Sequence, residues 1–219
     1  MDEFDSLVKQ SKITLLGKEL TDSSLPAIVK VLQKGNVEEL NLMMNQITLQ
    51  DDTAFINELA SNTTLKVLSL LNNQISNVGA KNLSKALMKN NTLECLILRG
   101  NCIGDEGAVD IATSFLFNDT LKVVLLGENN ITNVGGEKLA ETIAHNSSLN
   151  QVLVDSNPMN VEIMQLKINN TLSMPSRKSS KGGDVLPKDK VMKQLSFKDD
   201  IIATKDTQLQ SAQVEIATL

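Results

Sequence analysis

An asparagine returns every 28 residues through most of this 219-residue chain. The copies are Asn45, Asn73, Asn101, Asn129 and Asn157, and each lies three residues after one apolar residue and two residues before another. An interval held constant over five copies predicts a stack of similar units, each of which contacts only its neighbours. The interval therefore constrains the architecture strongly, but it does not identify a partner.

The five units share one frame. Their first halves read VEELNLMMNQI, LKVLSLLNNQI, LECLILRGNCI, LKVVLLGENNI and LNQVLVDSNPM, which fit the pattern L-x-x-L-x-L-x-x-N-x-I. The alternating apolar positions predict a short strand. In the second halves, apolar residues at helical spacing follow Gly79, Gly107 and Gly135, so we expect a helix that opens at each glycine. Asparagine, serine and threonine then close each unit in a turn.

These strand–turn–helix–turn units resemble the ribonuclease-inhibitor type of leucine-rich repeat, a family also seen in Ran GTPase activators, tropomodulins and NOD-like receptors. The resemblance covers about residues 10–172. It implies an α/β leucine-rich repeat solenoid, a horseshoe segment with a concave parallel sheet and convex helices. The spacing of the layers agrees, because stacked strands need about 4.8 Å per unit and packed helices about 8–10 Å. We expect the recurring asparagines to form a structural ladder that satisfies backbone groups at the strand ends.

The frame divides the array into a cap and five repeats. Residues 1–36 are interpreted as an N-terminal cap with a degenerate first repeat, where Ile13 and Leu15 fit the frame and Lys18 replaces the asparagine. The repeats follow at 37–64, 65–92, 93–120, 121–148 and 149–172.

The remainder of the chain has a different composition. Residues 173–187 combine serine, glycine, proline and basic residues without periodicity, which predicts a flexible linker. Within it, residues 177–180 resemble a site for a kinase that prefers basic residues, with a solvated linker as the alternative. Residues 188–219 lack glycine and proline and are interpreted as a coiled-coil helix that takes a partner helix, because apolar residues recur every seven positions at Leu195, Ile202, Leu209 and Ile216. An amphipathic helix that folds back, or a disordered extension, is the alternative.

Composition narrows the classes of function. The only histidine is His145, and Cys95 and Cys102 lie around a turn from each other, so we expect reduced thiols, no catalytic residues, no cofactor and no metal site. Residues 1–172 carry 13 basic and 20 acidic side chains, which argues against nucleic acid. The acidic N-terminus and the lack of an apolar run of about 18 residues predict a cytoplasmic protein that does not enter a membrane. Association with the cytoskeleton or a flagellum stays open.

Outward-pointing strand residues supply the candidate binding surface. Several are apolar neighbours, and a contiguous apolar patch on a surface typically marks a binding site. We expect the concave face to bind a protein partner through Met43, Val67, Leu71, Ile97, Arg99, Val123, Leu125, Leu153 and Asp155. The alternatives are that the chain covers this face with its own tail, or that β-propensity alone selected these residues.

The function that this pattern favours is a non-enzymatic adaptor for protein–protein interaction. The first alternative is a GTPase-activating regulator similar to the Ran GTPase activators, although the array is shorter than theirs and the tail lacks their acidic run. The second is a fragment of a NOD-like-receptor-type sensor, although this chain shows no nucleotide-binding motif.

Overall fold

The computed structural model describes residue 7, residues 9–50 and residues 53–174. Within these residues, six short strands form one parallel sheet in chain order. From the second strand onward each residue pairs with the residue 28 positions later, as Leu40 does with Leu68. The strands are β1 Lys12–Thr14, β2 Glu39–Asn41, β3 Val67–Ser69, β4 Cys95–Ile97, β5 Val123–Leu125 and β6 Gln151–Leu153.

A helix follows each strand and packs against the helix of the next repeat. The helices are α1 Leu25–Lys34, α2 Thr53–Ser61, α3 Asn77–Leu87, α4 Asp105–Ser114, α5 Asn133–Ile143 and α6 Val161–Ser173, with a short 3-10 turn, Asp22–Ser24, before α1. This architecture is an α/β leucine-rich repeat solenoid, which confirms the expected fold class.

The start of the helices differs from the expectation. The helices α3, α4 and α5 begin two residues before the glycines at which they were expected to open. The glycines are required for close approach instead. A Cβ atom on Gly107 would lie 2.8 Å from Asn77 Oδ1, and one on Gly135 would lie 2.6 Å from Asp105 Oδ1. Gly107 and Gly135 therefore make room for a polar side chain of the preceding repeat, whereas Gly79 makes room for the backbone carbonyl group of Thr48.

The core lies between the sheet and the helices. It is almost wholly aliphatic, and the inward leucines of the central repeats, such as Leu68, Leu96 and Leu98, have no exposed surface. Phe55 and Phe115 are its largest buried side chains. Each repeat thus contributes one thin layer to a continuous core, and no repeat could bury its layer without a neighbour.

The recurring asparagines bridge consecutive repeats. Asn101 donates from Nδ2 to the carbonyl oxygens of Leu70 and Leu98, both at 2.9 Å, and its Oδ1 accepts from the backbone N–H of Ile75 at 2.9 Å. Asn129 makes the same set of bonds one repeat later. We call this set the strand-end ladder, with members Asn45, Asn73, Asn101, Asn129 and Asn157, which are all buried.

A second set of asparagines lies at the exit of the helices. Asn118 is fully buried and donates from Nδ2 to the carbonyl oxygens of Leu87 at 2.8 Å and Asn90 at 2.9 Å. Its Oδ1 accepts from the N–H of Leu121 at 2.7 Å. We call the set the helix-exit ladder, with members Asn62, Asn90, Asn118 and Asn146. The sequence predicted a turn at this position but not the hydrogen bonds between repeats.

A third set of polar side chains binds the start of the helix in the following repeat. Asp105, the first residue of α4, accepts from the backbone N–H groups of Thr132 at 2.8 Å and Gly135 at 3.1 Å, at the start of α5. Asn77 binds Gly104 in the same manner at 2.7 Å. Because the free N–H groups of a helix start need acceptors, these two side chains cap the helix of the following repeat.

The last strand would expose an open edge, which α6 covers. Gln165 donates from Nε2 to the carbonyl oxygen of Val152 at 2.9 Å and accepts at Oε1 from the N–H of Val154 at 3.1 Å. This side-chain amide therefore occupies the hydrogen-bonding positions that a further strand would use.

Three expectations fall largely outside the described residues. The helix α6 extends through Ser173, one residue beyond the end expected for the array. Apart from residues 173 and 174, the linker expected at 173–187 lies outside the described residues, as do the kinase-like site at 177–180 and the coiled-coil segment at 188–219.

Candidate protein-binding face

The outward side chains of the strands form three columns, which we call the concave face. They lie on the opposite side of the sheet from the helices, because side chains alternate along a strand. The first column is Glu39, Val67, Cys95, Val123 and Gln151; the second is Asn41, Ser69, Ile97, Leu125 and Leu153; the third, just beyond the strand ends, is Met43, Leu71, Arg99, Gly127 and Asp155.

Apolar side chains occupy the middle of this face from β3 to β6. Ile97, Leu125 and Leu153 follow one another in the second column, and Val67 and Val123 flank them in the first. All five are half-buried rather than fully exposed, and Ser69 is only 8% exposed. Neighbouring strands lie about 4.8 Å apart, so adjacent side chains cover one another. These outward positions are therefore only partly exposed to solvent.

One edge of the apolar patch carries a cluster of three charges. Arg99 donates from Nη2 to Glu128 Oε1 at 2.6 Å and from Nη1 to Asp155. The hydrogen bonds that Arg99 donates to Asp155 and to Glu128 raise the pKa of its guanidinium group. Asp155 lies two repeats from Arg99, and the pair passes over Gly127, where a Cβ atom would lie 2.6 Å from Arg99 Nη1. The glycine therefore leaves the space that this ion pair occupies.

The opposite edge carries charges of alternating sign. Position by position through the repeats it reads Glu38, Lys66, Glu94 and Lys122, with ion pairs between Lys66 and Glu38 at 3.2 Å and between Lys122 and Glu94 at 2.8 Å. The hydrogen bond from Lys122 lowers the pKa of Glu94. These four side chains and the first four residues of the first column, Glu39, Val67, Cys95 and Val123, border a groove of about 240 Å³. The cations on both edges of the patch are thus paired with carboxylates of the same chain.

The two cysteines and the histidine do not form a site with one another. Cys95 lies half-buried in the first column, where burial raises the pKa of its thiol, and Cys102 is exposed beyond the strand end. His145 is exposed after the end of α5. In the part of the chain that the structure describes, no three His, Cys, Asp or Glu side chains group as ligands for a metal ion. The described helices include none that is long and apolar enough to cross a membrane.

The nine residues expected to bind a partner all lie on the concave face. The structure pairs Arg99 with Asp155, which the sequence did not indicate, because the two are 56 residues apart. It also adds Glu128, which reaches the same guanidinium from just beyond Gly127. Gly127 lies between Arg99 and Asp155 in the third column, and a glycine between two opposite charges is the sequence signal that could have suggested this contact.

Comparison with known proteins finds similar folds among leucine-rich repeat proteins. A leucine-rich repeat family model matches residues 61–84, 89–112 and 117–140. No curated protein matches this sequence. Among solved structures, actin-binding site 2 of leiomodin-1 is similar with 17% identity and a TM-score of 0.55, over 92% of this chain and 99% of that one. The tropomodulin C-terminal domain of Caenorhabditis elegans is similar with 13% identity and a TM-score of 0.55, over 82% of this chain and 95% of that one. Identities this low show a shared fold alone.

Proposed function

We propose that this protein is a non-enzymatic interaction module of the ribonuclease-inhibitor type of leucine-rich repeat, which binds a protein partner through the concave face. The observation that carries the proposal is the apolar patch formed by Val67, Ile97, Val123, Leu125 and Leu153, which spans four strands and is partly exposed. Such a patch gains free energy when a partner covers it.

The charges around the patch indicate the chemistry of the partner. Arg99 and Lys122 already have carboxylate partners in their own chain, so a bound protein need not supply counter-charges for them. Mainly apolar side chains, held between two polar rims, would complement the face. This arrangement, an apolar centre within a polar rim, is common in protein interfaces.

Actin is the first partner to test. The support is indirect: a solved structure described as an actin-binding site, in leiomodin-1, has this fold over nearly its whole length. The low identity gives no residue-level correspondence, so the test has to come from this chain's own surface.

The decisive variant places charge at the centre of the patch. Ile97→Glu combined with Leu125→Glu should weaken partner binding at least about tenfold, because two carboxylates would have to be buried in the interface. A matched control, Val78→Glu combined with Leu166→Glu, adds the same charge at apolar residues that are 53% and 61% exposed on the helices. Co-sedimentation with actin filaments and fluorescence anisotropy with labelled actin monomers measure the binding, and circular dichroism verifies the fold.

The outcomes separate the partner from the surface. If the unaltered chain binds no actin, actin is eliminated as the partner. A photo-crosslinking amino acid at position 97 then tests for another partner, with the same amino acid at position 78 as the control. Proteins captured only from position 97 support the face. Actin binding that survives the double concave variant would contradict the proposed surface.

The GTPase-activating alternative has its own assay. Hydrolysis of GTP by Ran is measured with and without this protein, and we expect no stimulation. A clear stimulation of GTP hydrolysis would replace the adaptor role.

The proposal also includes a cytoplasmic location and a second contact with a partner through residues 188–219.

A further inference from the structure

Three lysines, which we call the α3 lysines, lie on the outer face of α3 and in the turn that follows it. Lys81, Lys85 and Lys89 recur every four residues and are all exposed. Five other lysines of the array form ion pairs with carboxylates: Lys12–Glu39, Lys66–Glu38, Lys122–Glu94, Lys138–Glu141 and Lys167–Glu137. Among the described residues, no carboxylate lies within 4.0 Å of the three α3 lysines. In a chain of net charge −5, the three lysines form a positive stripe that carries no ion pair within the part of the chain that the structure describes.

A groove of about 190 Å³ runs beside this stripe, between α2 and α3. We call it the α2–α3 groove. Ile56, Ala60 and Ala86 supply its apolar surface, and Ile56 is only 8% exposed. Lys85 and Lys89 line one wall, and the uncharged Thr53 and Asn57 line the other, so positive charge lies on one side only.

One of the lysines is held in place by a neutral acceptor. Asn82 accepts from Lys85 Nζ at 3.0 Å. Its own Nδ2 donates to the carbonyl oxygens of Leu49 at 2.9 Å and Gln50 at 3.1 Å, in the segment that leads to α2. This chain of hydrogen bonds fixes the ammonium group at the groove without neutralising it. A charged group that is already positioned loses less conformational entropy on binding.

We propose that the α2–α3 groove binds an acidic segment of a protein partner. Lys81 and Lys85 are four residues apart on α3 and advance by about 6 Å, close to the rise of two residues in an extended chain, and Lys89 follows in the turn after the helix. A segment with carboxylates at alternate positions can therefore meet Lys81, Lys85 and Lys89 in order. An apolar side chain of the same segment would contact Ile56 and Ala60. The groove lies on the helix side of the array, so this site is separate from the concave face.

The test uses the full chain and a defined probe. The probe is a fluorescein-labelled peptide of about ten residues with glutamate at alternate positions, one central leucine and serine elsewhere. The variant Lys85→Gln with Lys89→Gln is compared with Lys30→Gln with Lys34→Gln, which makes the same charge change on the exposed face of α1. Fluorescence anisotropy at low salt gives the affinity, and thermal melting verifies that both variants fold.

We expect the α3 variant to bind the probe about five- to thirtyfold more weakly, and the α1 variant to stay within about twofold of the unaltered chain. Replacing the central leucine of the probe by serine should also weaken binding, because the apolar contact is lost. Equal binding by the α3 variant and the unaltered chain would overturn the proposal. An equal loss in the α1 variant would overturn it as well, since the effect would then be one of overall charge.

A membrane surface is the competing source of negative charge. Vesicles of phosphatidylcholine with and without phosphatidylserine are therefore tested alongside the probe. Binding to the anionic vesicles through Lys85 and Lys89, without binding to the peptide, would replace the acidic segment with a lipid surface.

Discussion

At the scale of single residues, amide side chains hold the repeats together. Every member of the strand-end ladder is buried and binds backbone groups of its own repeat and of the preceding one. Such groups would otherwise be buried without partners, which costs free energy. The consequence of losing one amide should therefore depend on its position in the frame and not on the residue type.

Two adjacent asparagines provide that comparison. Asn129 is buried and bridges Leu98 and Leu126, whereas the side chain of Asn130 is exposed. We expect Asn129→Ala to lower the free energy of unfolding by about 1–3 kcal/mol and Asn130→Ala by less than about 0.5 kcal/mol. Urea melts of the two variants measure the difference. Equal losses would show that the ladder bonds contribute nothing particular.

A buried hydroxyl group in α5 gives a prediction of opposite sign. Thr142 has no exposed surface, and within the described residues its Oγ1 has no hydrogen-bond partner. Thr142→Val keeps the shape and removes the unsatisfied group, so we expect a gain in stability of about 1 kcal/mol. Thr171→Val is the control, because the hydroxyl of Thr171 donates to the carbonyl oxygen of Lys167 at 2.9 Å. Thermal melts should move in opposite directions; a similar loss in both would refute the assignment.

The carboxylate of Asp22, which accepts hydrogen bonds from the segment that leads to α2, makes the stability of the chain depend on pH. Burial by itself raises its pKa, but hydrogen bonds from the hydroxyl and N–H of Thr48 and from the N–H groups of Leu49 and Gln50 outweigh it, and the net pKa is lowered. The carboxylate therefore contributes stability above its usual pKa of about 4, and this contribution is lost as the pH falls through the lower, folded-state value.

The expected consequence is a smaller acid sensitivity in Asp22→Asn. This variant should be less stable than the unaltered chain at pH 7, and the difference should shrink as the pH falls below about 4. The exposed Asp119→Asn should follow the unaltered chain throughout. Urea melts across this range measure the effect, and a difference that is independent of pH would contradict it.

At the scale of elements, the ends of the array are built differently from its middle. The inner strands bind a strand on each side, whereas β6 has a strand on one side and the amide of Gln165 on the other. An open strand edge invites pairing with another chain. Gln165 therefore serves both stability and solubility.

The test replaces that amide with an apolar side chain of similar size. Gln165→Leu should lower the free energy of unfolding by about 1–3 kcal/mol, because Val152 and Val154 lose their partners. It should also cause association that grows with protein concentration. Sedimentation velocity and urea melts measure both effects, with the exposed Asn170→Leu on the same helix as control. A variant that stays as stable and as monomeric as the control would refute the edge-capping role.

The sequence predicted the repeating elements well, and the structure shows why. Leucines such as Leu68 and Leu96 occupy equivalent positions in consecutive repeats, so the period alone indicates strand, core and fold. Contacts between repeats were harder to predict. The glycine positions do not reveal that Asp105 occupies the space at Gly135, nor that Arg99 passes over Gly127. Those contacts depend on three-dimensional packing, which spacing does not specify.

At the scale of the whole array, each described helix packs mainly against the helices before and after it. Stability in such a stack is close to a sum of repeat and neighbour terms. Hydrogen exchange should therefore be slowest at the central strands β3, β4 and β5 and faster at β1 and β6, where one neighbour is missing. Mass spectrometry of exchanging fragments measures the profile. Equal protection of β1 and β4 would contradict this nearest-neighbour behaviour.

The constant register has a consequence for how such a chain can change its length. Each inner repeat offers its successor the same donors and acceptors, so a duplicated 28-residue unit inserted between β3 and β5 would find matching partners on both sides. The same unit added after β6 would meet the amide of Gln165 in place of free backbone groups. Growth of the gene by duplication is therefore tolerated inside the array and resisted at its end, and each insertion would extend the concave face by one strand width of about 4.8 Å.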